Sequence, residues 1–206
     1  GSWDKKVYLL RVMEKGFEEV DEFETEDWVD SSPAVFEMNN KVYIAVGSDD
    51  GKLYLLRVGE KGFEKVDEFE TGYWISSSPA VFEMDGKVYI SVGSGDNCLY
   101  LLRVKGRGFK KGFKRVGEFK IGGNAGSSPV VFEMNNKVYI SVGSEKGKLY
   151  LLRVGKKGFE KVGEFETGSC IRSSPAVFEM NDKVYICVGS RDKKLYLLRV
   201  RDDASS

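Results

Sequence analysis

The sequence predicts an all-β protein, a β-propeller of four-stranded antiparallel blades, and three observations lead to this fold class. All four prolines stand in one repeated motif, Ser-Ser-Pro before an apolar run, at Pro33, Pro79, Pro129 and Pro175. Their spacings of 46, 50 and 46 residues have the length of a propeller blade. Each repeat holds four short runs of β-branched and aromatic residues, and none of these runs has a helical period.

The four predicted strands of a repeat differ in character. The first follows the proline as AVFEM or VVFEM, and a turn such as Asn39-Asn40 or Asp85-Gly86 leads to the second, KVYI-x-VGS. Such pairs tolerate the positive φ angles of a two-residue hairpin. The third strand, LYLLRV, is apolar on both faces, which predicts burial between neighbouring sheets. The fourth, of the type GFEKVDEF, is charged like the exposed outer edge of a blade.

The repeats predict a single domain over residues 1–206. Complete blades are predicted over residues 31–76, 77–126 and 127–172. Residues 1–30 form a partial blade with strands three and four, and residues 173–206 form a partial blade with strands one to three. The chain therefore carries four blades plus one surplus strand.

The surplus arises because the third strand occurs both near the start, as KKVYLLRV, and near the end, as KKLYLLRV. We expect Glu18 to Phe23 to complete the blade of Pro175. We also expect Val7 to Val12 to compete with Leu195 to Val200 for one place. Two chains that self-associate through these strands would form an eight-bladed ring, and a four-bladed monomer or a fragment of a longer array are the alternatives.

The repeat resembles that of a known family. Small-small-Pro, Lys-Val-Tyr-Ile with Val-Gly-Ser, Lys-Leu-Tyr and Glu-Phe-x-Thr-Gly are similar to the repeat of quinoprotein-type (PQQ-like) β-propellers, over almost the whole chain. That family usually docks its blades with an outer-strand tryptophan, where this chain has Val66, Val116 and Val162. The resemblance implies the propeller fold. By analogy with non-enzymatic members such as the bacterial outer-membrane assembly lipoprotein, it also implies a binding scaffold.

Composition argues against several classes of function. Lys plus Arg and Asp plus Glu each number 32, so no net charge attracts nucleic acid or an anionic membrane. The absence of histidine removes the commonest general base and zinc ligand. The three cysteines are widely separated and are expected to be free thiols. We therefore expect no catalytic residue, no metal site, no cofactor, and no nucleic-acid or membrane partner.

The third strands carry an arginine at the same position of every repeat, whereas two other charged stretches differ from repeat to repeat. The arginine of each third strand is expected to pair with a glutamate of a neighbouring strand. Residues 16–30 are acidic, whereas residues 105–120 are basic and include Arg107, Lys110 and Lys111. We expect this basic stretch to be a solvated loop, or a contact between acidic and basic rims of two copies, because nucleic-acid binding would need more such patches.

Two sets of loops vary between repeats: the segment before each proline strand and the turn between strands two and three. Both emerge at one end of an up-and-down blade, so one face of the protein is diversified. Loops on a rigid scaffold commonly carry binding residues, and aromatic and Arg side chains dominate interface energetics. The predicted ligand- or partner-binding residues are Trp28, Asp30, Tyr73, Trp74, Asn124 and Arg172.

The resulting function hypothesis is a non-catalytic scaffold that binds a protein or ligand through the variable loop face. Three alternatives stay open. The near-identity of the repeats also suits an engineered or excised repeat made for studying propeller assembly. Trp28 and Trp74 suit a lectin-like sugar binder. A quinone-dependent dehydrogenase would follow from the family resemblance, but the sequence offers no complete ligand set for it.

Overall fold

The structure, a computed structural model, describes residues 1–106 and 112–201. These residues form 17 strands in five antiparallel sheets, which confirms the all-β prediction. Arg107, Lys110 and Lys111 of the predicted basic stretch lie outside the described residues. No helix long and apolar enough to cross a membrane occurs in the described parts of the chain.

The chain begins and ends in incomplete sheets, with three full sheets between them. The N-terminal sheet pairs β1 (Lys6–Met13) with β2 (Gly16–Glu24). The first full sheet contains β3 (Ala34–Met38), β4 (Lys41–Gly47), β5 (Lys52–Gly59) and β6 (Gly62–Glu70). The second contains β7 (Ala80–Met84), β8 (Lys87–Gly93), β9 (Cys98–Lys105) and β10 (Gly112–Lys120). The third contains β11 (Val130–Met134), β12 (Lys137–Gly143), β13 (Lys148–Gly155) and β14 (Gly158–Glu166). The C-terminal sheet contains β15 (Ala176–Met180), β16 (Lys183–Ser190) and β17 (Lys194–Arg199).

The turns between strands one and two have the predicted hairpin geometry. Asn39 and Asn40 have φ angles of 53° and 57°, and Asp85 and Gly86 have φ angles of 52° and 65°. Positive φ at both central residues matches the right-handed twist of the flanking strands. These turns therefore fix the register of each first hairpin.

The two faces of β5, the third strand of the first full sheet, pack against different neighbours. Tyr54 and Leu56 join a core cluster with Val7 and Val29 from the preceding part of the chain. Leu53 and Leu55 join a second cluster with residues of the following sheet. Because successive side chains of a strand point to opposite faces, LYLLRV supplies both cores at once. The predicted burial of the third strand between sheets is confirmed for the three full sheets, whereas the third strands at the two ends, β1 and β17, are largely exposed.

The two serines of the Ser-Ser-Pro motif make different hydrogen bonds. Its first serine bonds within a sheet: the Gly47 N–H donates to Ser31 Oγ at 3.1 Å, and the later repeats have the same bond. Its second serine links sheets, because the amide of each donates to the hydroxyl of the next. This serine relay runs from Ser32 to Ser78 at 3.0 Å, from Ser78 to Ser128 at 2.8 Å and from Ser128 to Ser174 at 3.2 Å.

The outer strands dock through an acidic side chain that the sequence suggested only as edge protection. Asp21 Oδ2 accepts the Phe63 N–H at 2.6 Å, and Asp67 Oδ2 accepts the Phe113 N–H at 2.7 Å. The next two repeats have glycine at this position. Gly117 lies directly against Gly158, where a Cβ atom on either would crowd the other backbone. These contacts join the fourth strands of neighbouring sheets.

The predicted pairing of the third-strand arginines holds in three of the five third strands, and Arg199 in β17 has no adjacent fourth strand among the described residues. Arg11, Arg57 and Arg153 pair with a glutamate of the adjacent fourth strand. Arg103 instead lies opposite Lys114 in the register of β9 and β10. The charge reversal at residue 114 therefore removes the partner that the other repeats provide.

The chain alone does not join its two ends into one sheet. β2 pairs with β1, and the C-terminal sheet of Pro175 has three strands. Within one chain, Glu18 to Phe23 thus do not complete the C-terminal sheet. Completion between chains stays a prediction.

Candidate functional site

The variable segments before the proline strands sit on a fixed backbone frame. The carbonyls of residues 28, 74, 124 and 170 each accept an amide of the next strand-two-to-three turn. The donors are Asp49 at 2.8 Å, Gly95 at 2.9 Å, Glu145 at 3.2 Å and Arg191 at 2.9 Å. The backbone is therefore held in the same way in every repeat, so the side chains vary without changing the frame.

One residue of each variable segment does not face solvent. Val29, Ile75, Ala125 and Ile171 are buried and each lies directly against a glycine, which is Gly1, Gly47, Gly93 and Gly143 respectively. At Gly47, for example, an added Cβ would collide with the Ile75 side chain. The apolar residue type common to these four positions was the signal for this contact in the sequence. These residues fill the space over the glycines and pack in the interior.

The loop face encloses a cavity of about 350 Å³, here called the loop-face cup. It brings together four of the six predicted binding residues: Asp30, Trp74, Asn124 and Arg172. Four further residues complete its lining: Asp49, Ser76, Gly126 and Glu145. Residues 30, 76, 126 and 172 hold equivalent repeat positions, so the cup is built from the same position of successive repeats with a different residue type at each.

The cup has an acidic side and a neutralised side. Arg172 Nη2 lies 2.5 Å from Glu145 Oε1, so this arginine is already paired. Asp49 and Asp30 supply negative charge without such a cation among the described residues of the lining. Burial raises the pKa of Asp49, and repulsion from Asp30, Asp27 and Asp50 raises it further. The Oδ1 atom of Asp49 is buried and has no hydrogen-bond partner in the described chain.

Two predicted binding residues lie outside the cup lining. Trp28 stacks on Trp3, with ring centroids 5.3 Å apart and planes inclined by 18°. Trp3 Nε1 also donates to Asp30 Oδ1. Tyr73 contacts Trp74, with ring centroids 4.0 Å apart, and is itself exposed. One face of Trp28 is therefore covered by the chain, while Tyr73 supports Trp74 from outside.

Sequence reasoning missed Asp49 and Glu145 as members of the cup. Both are the first residue of a variable turn between strands two and three. Because the Asp49 amide bonds to the Trp28 carbonyl, this turn is drawn beside the variable segment. The equivalence of positions 49 and 145 within the repeat was the available signal.

No group of three or more His, Cys, Asp or Glu side chains in the described residues is arranged to hold a metal ion.

The chain was also compared with known proteins. No protein-family model matches it, and no curated protein matches it at a significant level.

Proposed function

We propose that this protein is a β-propeller scaffold without catalytic activity, and that its loop-face cup binds a partner. Support for the propeller comes from the repeated sheets, whose first strands contact in the order β3, β7, β11 and β15. The fourth strands contact in the order β2, β6, β10 and β14. Neighbouring sheets that meet at both inner and outer strands are typical of successive propeller blades. The serine relay along the first strands fits the inner wall of such an arrangement.

The proposed partner is a protein segment that presents a lysine or arginine side chain. The observation that carries this choice is the unpartnered carboxylate of Asp49 beside Asp30, in a cup that Trp74 also lines. A buried carboxylate oxygen without a partner is unfavourable, and a cation with N–H donors would satisfy it. An aromatic ring nearby adds cation–π attraction to an ammonium or guanidinium group.

The other classes have less support from the residues present. A sugar binder that stacks its ligand on Trp28 would have only one face of that ring to use, because Trp3 covers the other. A quinone-dependent dehydrogenase needs a cation site beside its cofactor, and no metal-holding group of side chains occurs in the described residues. A repeat made to study assembly would bind nothing at the cup, and this outcome is included in the test below.

The test is an NMR titration of the full chain with N-acetyl-lysine amide and N-acetyl-arginine amide. N-acetyl-norleucine amide is the uncharged control ligand. We expect the two cationic ligands to shift the resonances of Trp74 and Asn124 with millimolar affinity. We expect the double variant Asp30→Asn with Asp49→Asn to bind at least about fivefold more weakly, which corresponds to about 1 kcal/mol.

The matched control variant is Asp85→Asn, in the hairpin turn between β7 and β8 at the other end of the sheet. It removes one negative charge without touching the cup and should leave the affinity unchanged. Binding should weaken as the pH falls from 7 to 4, because the raised pKa of Asp49 means that this carboxylate takes up its proton at a higher pH than an ordinary aspartate. Equal binding of norleucine amide, or no binding of any probe, would contradict the proposed ligand. Hits on a glycan array would instead favour the sugar-binding class.

A further inference from the structure

Among the described residues the C-terminal sheet has three strands, and a groove marks the place where a fourth strand would lie. The groove has a volume of about 310 Å³ and is lined by residues of β14 and β17, including Gly163, Phe165 and Leu198. In the first full sheet the equivalent place holds Phe63 of the fourth strand, packed in the same cluster as Leu56. The groove therefore fits a strand of the GFEKVDEF type.

β2 is a strand of this type, and its side chain Phe17 is not covered by a neighbouring sheet. It carries the sequence GFEEVDEF and pairs only with β1 among the described strands. Phe17 is 73% exposed, although its equivalents Phe63, Phe113 and Phe159 are half-buried. The chain thus has a fourth strand without a complete sheet, and a sheet without a fourth strand.

Residues 1–12 resemble residues 189–200 in sequence. The two segments align from the Gly-Ser at the start of each through YLLRV at the end. Val29 lies against Gly1 as Ile75 lies against Gly47. The Val29 amide donates to the Ser2 carbonyl at 3.1 Å, as the Ile75 amide donates to the Ser48 carbonyl at 3.0 Å. On the first full sheet, residues 1–12 therefore occupy the place that the end of a preceding sheet occupies elsewhere.

Residues 1–12 replace a preceding sheet only in part, because the N-terminal sheet has no counterpart of strands one and two among the described residues. Val35 in β3 is 64% exposed, whereas Val81 and Val131 at the equivalent position are half-buried. The matching deficiency is on the C-terminal sheet. Leu195 and Leu197 are 76% and 60% exposed, although their equivalents in the first full sheet are fully buried. Each end of the chain exposes the face that the other end would cover.

We propose that a second copy of this chain docks head to tail, with residues 189–200 of one copy replacing residues 1–12 of the next. β2 of that next copy then becomes the fourth strand of the C-terminal sheet. β17 pairs with it as β1 did, so Arg199 takes the place of Arg11 opposite Glu18. β15 and β16 cover Val35, which β1 cannot do.

Two features of the internal junctions continue across this contact. The serine relay ends with Ser174, and no described residue donates to the hydroxyl of Ser32 at its other end. Docking brings the Ser174 amide of one copy to the Ser32 hydroxyl of the next. Gly163 likewise meets Gly16 of the next copy as Gly117 meets Gly158 within the chain.

The occupant is a second copy because, among the described residues, the two end sheets of one chain do not pair with each other. Its sheets contact in chain order, and the N-terminal and C-terminal sheets share no strand pairing in the described chain. Two copies that exchange reciprocally contain three full sheets each and two shared ones, which is an even-numbered ring of four-stranded sheets. The contact is heterologous and closes only when the rotation per copy permits it.

The first test compares Leu197→Glu with Val12→Glu by light scattering over a range of concentrations. Both residues are largely exposed in the single chain, at 60% and 77%, so neither substitution should unfold it. We expect the unaltered chain to reach at least twice the 23.1 kDa mass of one chain. Leu197→Glu should stay at the mass of one chain, and Val12→Glu should assemble as well as the unaltered chain, because β1 leaves the contact.

The second test detects the exchanged pair directly. With oxidised glutathione as the oxidant, a mixture of Arg199→Cys and Glu18→Cys chains should form a disulfide between copies, because cross-strand partners have the Cα separation that a disulfide needs, about 4.4–6.8 Å. The unaltered chain, with its three native cysteines, is the control and should form none under the same conditions. Hydrogen exchange of residues 6–13 should become faster on assembly.

Three results would overturn the proposal. One is a mass of one chain for the unaltered protein at all concentrations up to about millimolar. Another is loss of assembly in Val12→Glu, which would indicate that sheets stack without strand exchange. The third is full assembly of Leu197→Glu while circular dichroism shows that it is folded.

Discussion

The bond between Asp67 and the Phe113 amide should be one of the main links between the outer strands. The carboxylate oxygen lies 2.7 Å from the amide nitrogen, and both residues are half-buried. A hydrogen bond to a charged group contributes about 1.5–3 kcal/mol to stability, and partial exposure places this one at the lower end. Asp67→Ala should therefore cost about 1.5 kcal/mol. Asp67→Asn should cost about half as much, because it keeps an acceptor oxygen.

The assay is thermal unfolding at fixed protein concentration, followed by circular dichroism. For a chain of this length, about 1.5 kcal/mol corresponds to a fall in Tm of about 3–6 °C. Glu70→Ala is the matched control, because it removes a carboxylate from the exposed end of the same strand. If Asp67→Ala lowers Tm no more than Glu70→Ala, the docking role of Asp67 is wrong.

Three further predictions concern single side chains. Asp49→Asn should raise Tm at pH 7 and lose this advantage below about pH 4, because a carboxyl whose folded pKa is raised destabilises the fold only above its unfolded pKa. Lys114→Glu should restore the cross-strand pair with Arg103 and stabilise by about 0.2–1 kcal/mol in urea unfolding, with the gain lost in high salt. Cys98 should react with a thiol reagent more slowly than the other two cysteines, because it is buried and burial raises the pKa of its thiol.

The features that depend on local chemistry could be predicted from the sequence. Asn39 and Asn40 indicated a hairpin because few residues accept positive φ at both turn positions, and the structure has that turn. The contrast between LYLLRV and GFEKVDEF gave the buried and outer strands correctly, because burial on both faces requires a continuous apolar run. Repetition then placed these elements in every sheet.

Features that depend on distant partners could not be predicted in the same way. Asp67 looked like an edge charge, since nothing near it in sequence identifies the Phe113 amide as its partner. Trp28 was expected on the binding face, but Trp3, which is remote in sequence, stacks on it. The missing ion pair at Arg103 could be predicted from the sequence, because Lys114 replaces the glutamate of the other repeats. Among the cup residues, Asp30 and Trp74 were identified by residue type, while Asp49 needed the fold.

The copy of the third strand at the start of the chain also determines when the first full sheet is covered during synthesis. During synthesis β1 leaves the ribosome long before β17, together with Val7, which covers Val29 and Ile44. The first full sheet therefore has an apolar cover as soon as it forms, while the rest of the chain is still being made. An uncovered sheet face is a site of aggregation in growing chains. Residues 1–12 thus shield this apolar face before the C-terminal strands have been synthesised.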